Sequence, residues 1–329
     1  MTGRLVIEDV RPRTPNAGHF AKAVVGESVP VRAVVFKEGH DLLTGRVLLV
    51  AKGRKKPVST GVLEPVGSDE WVSHVMPAQI GPHRIIVEAW TDRHATWAHK
   101  VQAKLDAGQP IDVEIAEGLL LLEGAAAFPP VAAALPTLRD IGLADPDRVR
   151  AALSPEVGAA LWGPEGAVDV TDSTGQPLWV DRERALFGAW YELFPRSFGG
   201  LKGAAARVPD LAAMGFDVLY LPPIHPIGHT ARKGPDNTLR AGDDDPGSPW
   251  AIGSSVGGHT AVNPELGTIE DFSQLVAEVN ELGMEVALDY ALQCSPDHPW
   301  VHEHPEWFHH RPDGSIACAE NPPKVYQDI

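Results

Sequence analysis

Two cysteines, Cys294 and Cys318, are all that a chain of 329 residues contains. A disulfide framework is thereby excluded, and without a C-x-x-C spacing the pair gives no zinc site, so both are expected as free thiols. Positive charge is also scarce, with 28 Lys and Arg against 44 Asp and Glu and a net charge of -16. That balance opposes non-specific binding to nucleic acid or anionic membrane, whose electrostatic attraction needs clustered cations. An anionic ligand therefore has to be held by a local pocket. No apolar run approaches the roughly 20 residues of a spanning helix, and Met1 to Val10 lack the basic-then-apolar pattern of a secretory signal. The chain is expected in the cytoplasm. His259 and His298 have neither an i, i+4 histidine partner nor a carboxylate at metal-ligand spacing. Both are expected as hydrogen-bonded loop residues, and neither a metal nor a cofactor is expected.

What is present divides by pattern. From Leu5 to about Leu105 short alternating runs are separated by turn residues: Val29, Val31, Ala33 and Val35 share one face, and His83, Ile85, Val87 and Ala89 another. With the runs Val47 to Ala51 and Trp71 to Met76, they predict an immunoglobulin-like antiparallel β-sandwich over residues 1–108. Beyond Gly108 the chain turns Leu- and Ala-rich without strand alternation. Asp145-Pro146 and Ser154-Pro155 each place a capping residue before an N1 proline, so a small helical insertion is expected over 109–163. Val168 to Val180 is strand-like again, and 164–187 is expected to rejoin the sandwich.

From Gly188 strand and helix alternate regularly. Ala189 to Phe194 reads as a strand, Ala204 to Met214 as a helix, and Val218 to Leu221 as a buried strand stopped by Pro222-Pro223. Thr268 to Asp271 is a capping-box start. The helix it opens carries Phe272, Leu275, Val276, Val279 and Leu282 on one face, ends at Gly283 and feeds the strand Glu285 to Asp289. This order predicts βα units of a parallel barrel over 188–329.

The strings Val262 to Phe272 (VNPELGTIEDF) and the aspartate closing the third strand, Asp289, resemble the α-amylase superfamily. WYELFPRSF, LPPIHPIG, RKGPDN, QCSPDHPW and ENPPKVYQDI narrow the resemblance to the bacterial α-glucan maltosyltransferase family whose donor is α-maltose 1-phosphate. After the third strand, superfamily hydrolases usually read Asp-x-x-x-Asn-His, whereas Asp289 is followed by Gln293 and Cys294, the variant of the maltosyltransferases. Tyr290 and Val325 depart from that family's usual residues. The resemblance implies a retaining double displacement that passes maltosyl to the non-reducing end of an α-1,4-glucan, in glycogen-type synthesis, with release of phosphate. Such chemistry needs two carboxyl groups about 5 to 5.5 Å apart. The superfamily carries them on the fourth and fifth strands, and a (β/α)8 barrel takes about 250 residues. The stretch from Gly188 is therefore expected to be an incomplete (β/α)8 (TIM) barrel, reaching only the third strand and its loop. No catalytic residue is assigned, and the chain alone is expected to be inactive.

Binding residues are assigned by the same resemblance. Lys233 and Gln293 would contact the donor sugar; Asn321, Lys324 and Tyr326 would line its phosphate pocket; Asp328 would hold a sugar hydroxyl. An ammonium and an amide suit hydroxyl and phosphate oxygens. A solvated loop lysine, a structural loop amide and an Asn-Pro-Pro-Lys turn are the competing readings. Asp289 is read either as an orienting carboxylate or as a structural one. Trp190, Tyr191, Phe194 and Trp300 are expected to be buried rather than to stack on sugar. The expected partners are α-maltose 1-phosphate, an α-1,4-glucan acceptor and a second copy in a homodimer. An amylase-type hydrolase, or a non-catalytic dimerisation or glucan-binding module, would fit the same composition.

Overall fold

A computed structural model describes residues 4–15, 18–164, 167–318 and 329. The chain divides into two compact units, Met1–Leu186 and Phe187–Ile329.

The first unit is built on two sheets. Strands β1 (Leu5–Arg11), β3 (Val29–Lys37), β7 (Glu70–Val75) and β6 (Glu64–Gly67) form one, in that spatial order. The other runs β2 (Ala21–Val24), β10 (Gln176–Asp181), β8 (Gly81–Thr91), β4 (Leu43–Ala51) and β5 (Ser59–Val62), with β9 (Thr171–Asp172) also paired to β8. Every pairing is antiparallel except that of β10 with β2. The alternation read in the sequence has its cause here. Val31 and Val35 of β3, Val47 and Leu49 of β4, Ile85 and Val87 of β8, and Leu178 and Val180 of β10 fill one core between the sheets.

Between β8 and β9 the described residues form five helices: α1 (Arg93–Asp106), α2 (Asp112–Glu123), α3 (Pro129–Arg139), α4 (Asp145–Arg150) and α5 (Pro155–Leu161). The helical part thus opens at Arg93, where strand-type chain was expected to continue to 108. Asp92 accepts a hydrogen bond from the Ala95 N–H and caps the first turn, and His94, Trp97 and Val101 are buried at helical spacing. A second correction concerns Asp145, which is the first helical residue and caps nothing; Ala144 precedes it as the N-cap. Ser154 caps α5 as expected. The helices share a core of their own around Trp97, Ile115, Leu122, Leu135 and Leu138.

In the second unit three parallel strands, β11 (Trp190–Glu192), β12 (Val218–Leu221) and β13 (Glu285–Leu288), lie in sequence order. One helix was expected between the first two; the chain forms α6 (Leu201–Ala205) and α7 (Val208–Ala213) instead. Pro209 is the reason, because it has no N–H to continue the ladder and fits only in the first turn of a new helix. Helix α8 (Ile269–Glu281) precedes β13 and opens with a complete capping box of Thr268 and Asp271. Leu275 and Val279 of α8 pack with Leu201, Val208, Leu219 and Leu221. Trp190 is 58% exposed and Phe194 38%, which corrects the expectation that both are buried. A short helix, α9 (Trp300–Glu303), follows β13.

Candidate active site

The loops that follow the three parallel strands leave from their C-terminal ends, the end at which parallel α/β barrels carry active sites. After β12 the chain runs inward through Ile224 and His225, both buried, and is tied down by its own backbone. The Asn263 N–H donates to the Ile224 carbonyl at 2.8 Å, Gly253 to Pro226 at 2.7 Å and Gly228 to Ala251 at 2.9 Å. The Arg232 guanidinium locks the next turn by donating to the carbonyls of Gly228, Ile227 and Asp245 at 2.8, 3.0 and 3.0 Å. Five donors in a rigid fork suit a side chain that must hold three carbonyls at once. Lys233 follows directly, half-buried. The turn around it is strained: Ala231, Asp236 and Asn237 all take positive φ, at 53°, 52° and 62°.

The loop after β13 begins at Asp289, whose N–H donates to the Leu221 carbonyl at 2.9 Å. Its carboxylate accepts from the Trp250 indole N–H at 2.7 Å and is hydrogen-bonded to the Tyr220 phenol. Burial, and then this bond to a carboxylate, push the Tyr220 phenol above its ordinary range. Gln293, also half-buried, precedes the buried Cys294, whose backbone exchanges two hydrogen bonds with Ile329 at 2.9 and 2.8 Å. Neither Cys294 nor Cys318 is in a disulfide.

Asp297 joins the two loops. Its carboxylate accepts from the backbone N–H groups of His229 and Thr230 at 2.6 and 2.7 Å and from the Thr230 hydroxyl. Burial works against the ionised carboxyl, but the Thr230 hydroxyl and the two N–H groups outweigh it and hold the group below the usual carboxylate range. The Ser295 N–H adds a bond to the Ile252 carbonyl at 2.7 Å. Lys233 and Gln293 therefore stand on loops from adjacent strands that are pinned together within four residues of each: Thr230 and His229 on one side, Asp297 on the other. Asn321, Lys324, Tyr326 and Asp328 lie outside the described residues.

A cluster of rings closes the base of these loops. His225 Nδ1 lies 2.9 Å from the Ala261 carbonyl, His259 Nδ1 lies 3.1 Å from His298 Nε2, and His259 Nε2 lies 2.7 Å from the Ala291 carbonyl. Trp300 stacks on His259 with ring planes 2° apart. Among the described residues no group of three or more His, Cys, Asp or Glu side chains is placed to hold a metal ion, and no helix is long and apolar enough to cross a membrane. An apolar cavity of about 220 Å³ lies beside the loops, between Phe194, Pro222, His225, Ile227, Pro249 and Leu266.

Sequence reasoning missed Asp297, Trp250 and Arg232. Asp297 and Trp250 act across the loops and Arg232 within one, through partners that no periodicity connects; the strings RKGPDN and QCSPDHPW contained Arg232 and Asp297 but did not give their partners.

Chemically, the site offers an ammonium, an amide and a carboxylate already engaged by two donors. That set suits recognition of hydroxyl and phosphate oxygens. Residues 3–182 match the family described as alpha-1,4-glucan:maltose-1-phosphate maltosyltransferase, domain N/S, and residues 170–326 match the alpha amylase catalytic domain. Alpha-1,4-glucan:maltose-1-phosphate maltosyltransferase 1 of Streptomyces coelicolor is 51% identical, over 100% of this chain and 51% of its own length. The corresponding protein of Mycolicibacterium smegmatis is 44% identical, over 100% of this chain and 54% of its own. The chain thus spans about half the length of the curated relatives it matches. Among solved structures, an alpha-amylase from Lactobacillus plantarum is 36% identical over 43% of this chain and 31% of that one, with a TM-score of 0.36, too slight a likeness to bear on the fold.

Proposed function

Because the chain belongs to the alpha-1,4-glucan:maltose-1-phosphate maltosyltransferase family, we propose that it supplies the donor-binding loops of an enzyme that transfers maltosyl from α-maltose 1-phosphate to the non-reducing end of an α-1,4-glucan. The reaction is a retaining double displacement with phosphate as the leaving group, in glycogen-type synthesis. The two carboxyl groups it requires are assigned to no described residue of this chain. Lys233 and Gln293 contact the donor sugar, Asn321, Lys324 and Tyr326 take its phosphate, and Asp328 takes a hydroxyl. In this reading the paired sheets of the first unit are an immunoglobulin-like sandwich interrupted by a helical insertion. The second unit is the opening of a (β/α)8 barrel, and the enzyme is a cytoplasmic homodimer.

The observation that carries the reading is the Asp297 clamp, which fixes the Lys233 loop against the Gln293 loop at the strand ends. Titration calorimetry of the chain with α-maltose 1-phosphate tests it. Binding should be competed by inorganic phosphate and weakened about tenfold or more in Lys233→Ala and Gln293→Ala, the order expected for one lost charged or buried hydrogen bond. Free maltose binding as tightly as the phosphate ester would instead favour an amylase-type hydrolase.

A further inference from the structure

The histidine pair beneath the Gln293 loop has a direction that its hydrogen bonds determine. The Trp300 backbone N–H donates to His298 Nδ1 at 3.1 Å. A backbone amide can only donate, so Nδ1 carries no proton and the neutral ring carries its proton on Nε2. Nε2 faces His259 Nδ1 at 3.1 Å, so His259 accepts there and has its own proton on Nε2. That nitrogen lies 2.7 Å from the carbonyl of Ala291, two residues before Gln293. The chain Trp300 to His298 to His259 to Ala291 therefore runs one way, with each ring used once as acceptor and once as donor.

The surroundings are shaped to keep this arrangement. His298 is 1% exposed. A methyl group on Gly258 would come 2.0 Å from His298 Nε2, and one on Gly253 2.5 Å from its Cδ2, so the glycines of the loop after β12 make the slot the ring occupies. Trp300 covers the face of His259. His225 and Tyr290 also lie against His259.

We propose that His259 and His298 are positioning residues for the donor site: the relay from Trp300 to the Ala291 carbonyl sets the height and orientation of the segment that presents Gln293. The proposal rests on the reading of Gln293 as a donor contact, and its test separates the two. In long-range proton–nitrogen spectra of the wild-type chain, both rings should show a bare Nδ1 and a protonated Nε2. A protonated Nδ1 on His298 would overturn the relay without any variant having to fold.

By calorimetry, His259→Ala and His298→Ala should each weaken α-maltose 1-phosphate binding about tenfold. The double variant should lose little more than either single one, because the two act in series. His259→Gln, which keeps a donor for the Ala291 carbonyl, should recover most of the loss. Wild-type affinity in both alanine variants would overturn the positioning role and leave the donor site standing. If the wild-type chain binds no sugar phosphate, the functional reading fails, and the tautomers alone decide whether the relay exists.

Discussion

Gly258 lies where a single methyl group would meet an imidazole nitrogen of His298 at 2.0 Å, and the packed ring has nowhere to move. Gly258→Ala is therefore expected to destabilise the second unit by about 1–3 kcal/mol, the usual cost of overpacking, seen as a lower urea midpoint by tryptophan fluorescence. His298 makes a further prediction. Burial, and then the neighbouring His259 and His225, push its pKa down from 6.5 to about 4. The unfolded ring takes up a proton near its ordinary value while the folded ring does not. Its contribution to stability is thus complete above about pH 6.5 and is lost as the pH falls toward 4, by up to about 1.4 kcal/mol per pH unit. Equal urea midpoints at pH 7 and pH 5 would contradict a neutral buried ring. At this scale the sequence disclosed types better than partners. Lys233 and Gln293 stood out through the strings around them, and His259 and His298 were readable as loop histidines. That Asp297 bonds to His229 and Thr230, or that His298 fits between two glycines, depends on segments far apart in the chain meeting at one place.

Helix α8 is the element most fully specified by its own residues. Thr268 and Asp271 satisfy two free N–H groups at its start, while Leu275 and Val279 fall on its buried face. Thr268→Ala should cost about 1 kcal/mol, measured as a shift in the same urea transition; no shift would mean that the cap is redundant with the packing. The strands of the first unit were equally legible, since Val29, Val31, Ala33 and Val35 are all buried as their alternation predicts. Helix α1 was not, although Asp92 and the spacing of His94, Trp97 and Val101 were there to be read. Beyond these only Ala98 and Leu105 add apolar contacts, and most other positions are charged or polar. The break between α6 and α7 shows the opposite error, in which an apolar pattern was allowed to run through Pro209.

For the molecule as a whole, two compact units meet the chain boundary at Leu186 and Phe187, and the first has both of its cores within its own residues. Residues 1–186 expressed alone are expected to unfold cooperatively with urea; a broad, non-cooperative transition would show that they depend on the rest. One feature of the first unit bears on time rather than on energy. Strand β2 is paired only with β10 among the described residues, and β10 follows all five helices in the chain. As the protein leaves the ribosome, β2 waits with both edges open until β10 emerges, and contacts closed over so long a loop form slowly. Refolding should therefore run in two phases, a fast gain of helix signal and a slower step in which β10 slides between β2 and β8.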